Sequence, residues 1–209
     1  MVRKIHTTTG SDVLDSFFKS NREWAEKVTS SAPDYFKNLS KGQSPEVLWI
    51  GCSDSRVCVE IFTQADPGQI FIHRNIANRV SAEDHAAQSV IEFAVKHLGV
   101  KHIVVAGHTC CGGVKGAMSK ESLGMLDHWL KPIKELYENN KEEIDGLTTD
   151  TDKEYRLCEL NVVNSVNNIA TLPPVQAAWE EGRSLTIHGM IFQIENGLLK
   201  DLDISISEK

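Results

Sequence analysis

The sequence has few long apolar runs. None approaches the roughly 20 residues that a membrane-spanning helix needs, so no membrane partner is expected of these 209 residues, 41% of them hydrophobic. Positive charge is also scarce. Twenty-two Lys and Arg stand against 29 Asp and Glu, a net charge of −7, and no basic cluster offsets it, which argues against a nucleic-acid partner. Net charge says little against a small substrate, whose local field differs from the global one. Cysteines number only five, at 52, 58, 110, 111 and 158. In a chain this long they do not make a disulfide framework, so a soluble protein of a reducing, intracellular compartment is expected. Repeats and low-complexity tracts are absent. Arg3 and Lys4 precede no apolar stretch, which speaks against a secretory signal. Together with His6 and three threonines ahead of the first acid, Asp12, they leave the mitochondrial matrix as the alternative to the cytoplasm.

What is present reads as strands alternating with helices. Val13, Leu14, Phe17, Phe18 and Trp24 share one face of a helix over 11–30, capped by Ser11 or Asp12. Strands are predicted over 47–50, 69–73 and 103–106. A helix spans 82–98 and stops at Gly99. Two more helices cover 123–139 and 152–171, the second broken by Pro173-Pro174, and 141–151 reads as a surface loop. The end reads as a C-terminal β-hairpin, 184–194 and 198–206 about Glu195-Asn196-Gly197. The expected fold class is α/β, a mainly parallel central sheet flanked by helices. The N-terminal helix is placed to lie on a partner subunit.

Two polar stretches close two of the apolar runs. Val47-Leu48-Trp49-Ile50 leads to Cys52-Ser53-Asp54-Ser55-Arg56, and Ile103-Val104-Val105-Ala106 leads to His108-Thr109-Cys110-Cys111-Gly112-Gly113. Both clusters therefore sit at the carboxyl ends of strands, where open α/β sheets place their sites. Two thiolates and an imidazole suit Zn²⁺. Three ligands leave the tetrahedron one short, the vacancy that a catalytic zinc keeps for water. Two thiolates cancel the charge of the metal, so such a site acidifies water less than three imidazoles would. Asp54 is placed to accept a hydrogen bond from that water. Arg56 can clamp the carboxylate through its planar fork, keep it ionised and so let it orient hydroxide as nucleophile.

Spacing leaves Cys110 and Cys111 both open as ligands. A turn of His-x-x-Cys converges more readily than His-x-Cys in extended chain, which favours Cys111. Gly112 and Gly113 admit backbone near the metal without a Cβ clash. Cys58 and Cys158 lack partners and read as core. His73 and His188 read as structural, His97 and His102 as solvent-facing or capping. Phe71, Ile76, Phe93 and Trp49 are most simply core. The whole chain, 1–209, reads as one domain, a helical arm over 1–40 and a zinc-binding core over 41–209.

From about Gln43 to Leu199 the sequence resembles the β-class carbonic anhydrases, in their plant-type branch and in a fungal or other eukaryotic member. The resemblance rests on 48–57, on His73-Arg74-Asn75-Ile76-Ala77-Asn78, and on Gly107-His108-Thr109 with Cys111-Gly112-Gly113, in that order. It implies reversible hydration of CO₂ to bicarbonate and a proton. It further implies one zinc per chain on Cys52, His108 and Cys111, with Asp54 and Arg56 as the catalytic pair. Gln43 and Gly112 match substrate-contacting positions; Phe71 and Ile76, with Phe93 from a partner chain, match the apolar wall of the pocket. A homodimer, paired into a dimer of dimers, is implied as well. Some members close the zinc with the paired aspartate and hold an inhibitory bicarbonate with Trp, Arg and Tyr. Here Trp49 and Arg74 match, but Phe192 stands at the Tyr position and lacks a hydroxyl, so an open resting site is expected. Three other readings compete: hydrolysis of CS₂ or COS on the same fold, a zinc-stabilised binding protein with four protein ligands, and a redox pair at Cys110-Cys111.

Overall fold

The computed structural model describes residues 12–208; Met1–Gly10 and Ser11, read above for a targeting signal and a cap, lie outside them. The chain divides into two compact units between Gln43 and Ser44. The first holds α1 (Asp12–Ser31) and α2 (Tyr35–Leu39). Asp12 and Asp15 place negative charge at the positive end of α1. No residue of either helix is buried. Phe17 and Phe18 are 64% and 62% exposed, and Val13 and Trp24 are exposed beside them. Within this unit Trp24 meets Phe36 edge to face at 5.3 Å.

The second unit runs β1 (Val47–Cys52), α3 (Val59–Thr63), β2 (Ile70–Asn75) and α4 (His85–Glu92), which continues as π-helix over Phe93–Leu98. It goes on through β3 (His102–His108), α5 (Gly112–Met118), α6 (Met125–Asn139), α7 (Lys141–Asp145), α8 (Asp150–Ala170) and α9 (Pro173–Glu180), and ends with β4 (Thr186–Gln193) and β5 (Leu198–Ile206). The sheet order is β2-β1-β3-β4-β5. The first four strands are parallel and β5 is antiparallel to β4. The expected α/β class and the closing hairpin are both present.

Where the elements differ from the sequence reading, capping and burial explain it. Asp84 accepts hydrogen bonds from Ala86 N and Ala87 N, both at 3.1 Å, so α4 starts at His85 rather than at Ala82. The π-helical turn rotates its closing face, which buries Ala94 and Val95 together and leaves Phe93 out. Thr149 caps α8 through Asp152 N at 3.0 Å, ahead of the expected start. Pro173 does not break α8 but opens α9 at a first-turn position, where its missing N–H is not needed. The stretch 141–151, read as loop, holds α7, which buries Ile144 completely.

Alternation in the strands builds two cores. Leu48, Ile50, Ile103, Val105, Ile187 and Ile191 join the main core with α4, α5, α6, α8 and α9. Trp49, Val104 and Ala106 point the other way, against Val59 and Phe62 of α3. Glycine brings α8 close to the sheet: a Cβ on Gly107 would lie 2.8 Å from Ile191 Cδ1 and from Val162 Cγ2. Gly107→Ala should therefore destabilise by about 1–3 kcal/mol through overpacking. Gly112→Ala, whose Cβ would meet nothing within 4 Å, should not; urea midpoints of the two variants check this.

Candidate metal centre

β1 and β3 pair in parallel with Gly51 opposite Ala106, so both strands end at the same edge of the sheet. That register brings Cys52, the last residue of β1, to His108, the last of β3, and the following turn delivers Cys111. Cys52 Sγ, an imidazole nitrogen of His108 and Cys111 Sγ all lie within 4.8 Å of one another, and all three residues are buried. Asp54 is not part of this cluster.

The imidazole is set by a single bond. His108 Nδ1 lies 2.9 Å from the carbonyl of Thr109; a carbonyl only accepts, so Nδ1 carries the hydrogen and Nε2 keeps its lone pair. Nε2 is buried and has no hydrogen-bond partner among the described residues. An orphaned acceptor beside two buried sulfurs is what a soft cation would satisfy. The two sulfurs shift each other: the Cys111 thiol lowers the Cys52 pKa, and Cys52 together with burial raises that of Cys111. A cation held here would bind both sulfurs as thiolates, with release of their protons. The donor set fits zinc.

The turn explains why Cys111 and not Cys110 joins the cluster. Cys110 takes a left-handed conformation, φ 56°, which sends its side chain outward, where its Sγ meets Glu195 Oε1 at 3.3 Å. That hydrogen bond raises the Cys110 pKa. Glu195 also accepts from Thr109 Oγ1 at 2.6 Å, while Thr109 Oγ1 accepts from Ile194 N at 2.9 Å. The turn after β3 is thereby tied to the turn after β4.

Asp54 is gripped on three sides. Arg56 Nε donates to Oδ1 at 3.0 Å, Arg56 Nη2 to Oδ2 at 2.7 Å, and Arg56 N to Oδ1 at 2.9 Å. The guanidinium hydrogen bonds hold the carboxyl well below the usual range. Stability lent by such a depressed group is complete above the ~3.9 of a free Asp and fades only as pH falls beneath it. Arg56 Nη2 also reaches Cys110 O at 3.1 Å. Arg74 completes the frame, giving Nε to Cys52 O at 2.8 Å and Nη2 to Asp54 O at 2.5 Å.

Several sequence readings change here. Ile76 and Phe93 are not core; they are 40% and 45% exposed. Phe71 is half-buried, and Phe93 lies against it at 5.8 Å within the same chain. Gly112 is exposed and its Cβ position is open, so close backbone approach does not explain it; at Gly113 a Cβ would lie 2.9 Å from Ile76 Cγ2. Cys58 is not core either, for it sits at the start of α3 with its Sγ 3.4 Å from Glu60 Oε2. Cys158 and Trp49 are buried as expected. Gln43 is exposed at the end of the first unit. Phe192 stacks on Phe62 at 4.3 Å, and Phe62 meets Trp49 at 5.9 Å. Sequence reading passed over Glu195, because Glu-Asn-Gly signals a hairpin turn, and over the contact of Ala77 N–H with Cys52 Sγ at 3.4 Å, which no spacing announces.

Known proteins match this arrangement. Residues 47–199 fit the carbonic anhydrase family. A carbonic anhydrase of Emericella nidulans is 44% identical over 202 residues, 97% of this chain and 89% of its own length. Among solved structures, a β-carbonic anhydrase of Sordaria macrospora, described as tetrameric, superposes with TM-score 0.91 at 40% identity, covering 94% of this chain and all of that one. The Coccomyxa β-carbonic anhydrase solved with acetazolamide gives TM-score 0.89 at 35% identity over 95% of this chain and 90% of that one. The chain belongs to the β-class family of carbonic anhydrases, which are enzymes.

Proposed function

We propose that this chain carries out reversible hydration of CO₂ to bicarbonate and a proton, with zinc on Cys52, His108 and Cys111. The observation that carries the reading is the buried three-ligand cluster, with His108 Nε2 unpaired, beside a carboxylate that Arg56 keeps ionised. When bound, zinc supplies the Lewis acidity that makes water a nucleophile near neutral pH.

The chain's own residues do the rest. Asp54, ionised and fixed by Arg56, accepts a hydrogen bond from the attacking water and so orients it. The same fixation supports an open resting site, because the carboxylate oxygens are engaged by guanidinium rather than by the cluster. Phe71, Ile76 and Phe93 offer an apolar wall, suited to CO₂, which has no net dipole. Gln43 and Gly112 are the remaining substrate contacts of this reading. Exposed Ile76 and Phe93 suit a wall completed by a second copy of the chain. The apolar side chains of α1 call for the same cover. A homodimer, paired into a tetramer as in the Sordaria protein, follows, and the cytoplasm is the proposed location.

Stopped-flow CO₂ hydration on zinc-quantified protein tests the reading. Fast turnover at neutral pH is expected; no hydration at full zinc occupancy overturns it. Cys52→Ser and His108→Ala should lose zinc and activity together, measured by metal analysis beside the rate. Asp54→Asn should keep its zinc and fold while the rate falls by about 100-fold or more. Sedimentation equilibrium should return two or four times the 23.2 kDa of one chain.

A further inference from the structure

Helix α8 carries three polar residues, Asn161, Ser165 and Asn168, spaced so that they share one face. Asn161 and Ser165 are 1% and 0% exposed, set among Leu157, Val162, Val166 and Ile169. Burying such groups is unfavourable unless they bond. Here they all bond to one short segment. Asn161 Nδ2 donates to Ala77 O at 2.8 Å, Ser165 Oγ accepts from Val80 N at 3.2 Å, and Asn168 Nδ2 donates to Val80 O at 2.8 Å.

That segment is the turn leaving β2, and its backbone is unusual. Ala77 and Asn78 take left-handed conformations, φ 62° and 46°, which residues with a Cβ seldom adopt. Its neighbours leave it little room. Trp129 Nε1 donates to Ile76 O at 2.8 Å, and the Cβ of Ala77 lies 3.1 Å from where a Cβ on Gly113 would stand. The left-handed turn presents Ala77 N–H to Cys52 Sγ at 3.4 Å. One peptide residue is thus held by α8 through its carbonyl and touches the metal cluster through its N–H. Asn161 Oδ1 has no partner among the described residues, so the bond to Ala77 is the one return for burying this side chain.

We propose that Asn161 is a positioning residue for the metal centre, holding the Ala77 turn so that its N–H aims at the Cys52 sulfur. The proposal rests on the reading of Cys52 as a ligand. An N–H directed at a thiolate withdraws charge from it and fixes its rotamer. Without the Asn161 amide the turn relaxes, the sulfur becomes a richer donor, and its direction is no longer set.

Cobalt(II) in place of zinc reports on the sulfur directly, through its thiolate-to-metal charge-transfer band. Asn161→Leu should shift that band to lower energy and release zinc to a chelator about 10–100-fold faster. Asn168→Leu, which removes an amide from the same turn beside Val80, should lose comparable thermal stability and keep the wild-type band. Where Asn161→Leu does not fold, the smaller Asn161→Ser carries the same readout. A wild-type band and wild-type zinc release in the Asn161 variants overturn the proposal. An equal shift in Asn168→Leu also overturns it, making the polar face a support of the fold alone. Wild-type protein that shows no thiolate–cobalt band overturns instead the metal-centre reading beneath it.

Discussion

The structure turns on a burial that is hard to sustain without positive charge. Two sulfurs and an imidazole lone pair converge within 4.8 Å in the interior, where repulsion between thiolates is poorly screened. The two sulfurs do not carry charge equally well, and the Cys52 pKa is lowered while that of Cys111 is raised. A divalent cation relieves the repulsion, because it satisfies all three donors at once. The surrounding polar framework serves that convergence. Thr109 fixes the tautomer of His108, Ala77 gives an N–H to Cys52, and the left-handed Cys110 turns Cys111 inward.

Much of this was legible in the sequence because its signals are local. Apolar runs leading to Cys52 and His108 marked two strands and the edge where the site lies, and the alternation of strands with helices marked the sheet as mainly parallel. The spacing of His108 and Cys111 was enough to prefer one of two adjacent cysteines, and the reason proved to be backbone handedness at Cys110. Arg56 beside Asp54 announced its pairing, two residues apart on one loop. Other features depend on distant partners and leave no local trace. Arg74 holds the carbonyls of Cys52 and Asp54, a role set by strand pairing rather than by its neighbours in sequence. Asn161, Ser165 and Asn168 look like ordinary polar positions of a helix until the turn they grip is known. Ile76 and Phe93 show the converse, since hydrophobicity alone reads as core and cannot tell an interior from an uncovered surface.

The two faces of the sheet divide the work. One packs against α4, α5, α6, α8 and α9 and forms the main core. The other carries Trp49, Val104 and Ala106 beneath α3, with the Phe62–Phe192 stack close by. Close packing on the first face is set by Gly107 and Gly189, each leaving room for Val162, so α8 approaches the sheet near His108. The helix that packs on these two glycines is also the helix that grips the Ala77 turn, which ties core packing to the geometry of the cluster.

Arg74 has a further consequence. Its guanidinium spans the carbonyls of Cys52 and Asp54, joining the residue that offers a sulfur to the one that offers a carboxylate. One cation on β2 thus anchors the backbone beneath both groups, so a substitution at Arg74 would disturb the sulfur and the carboxylate together.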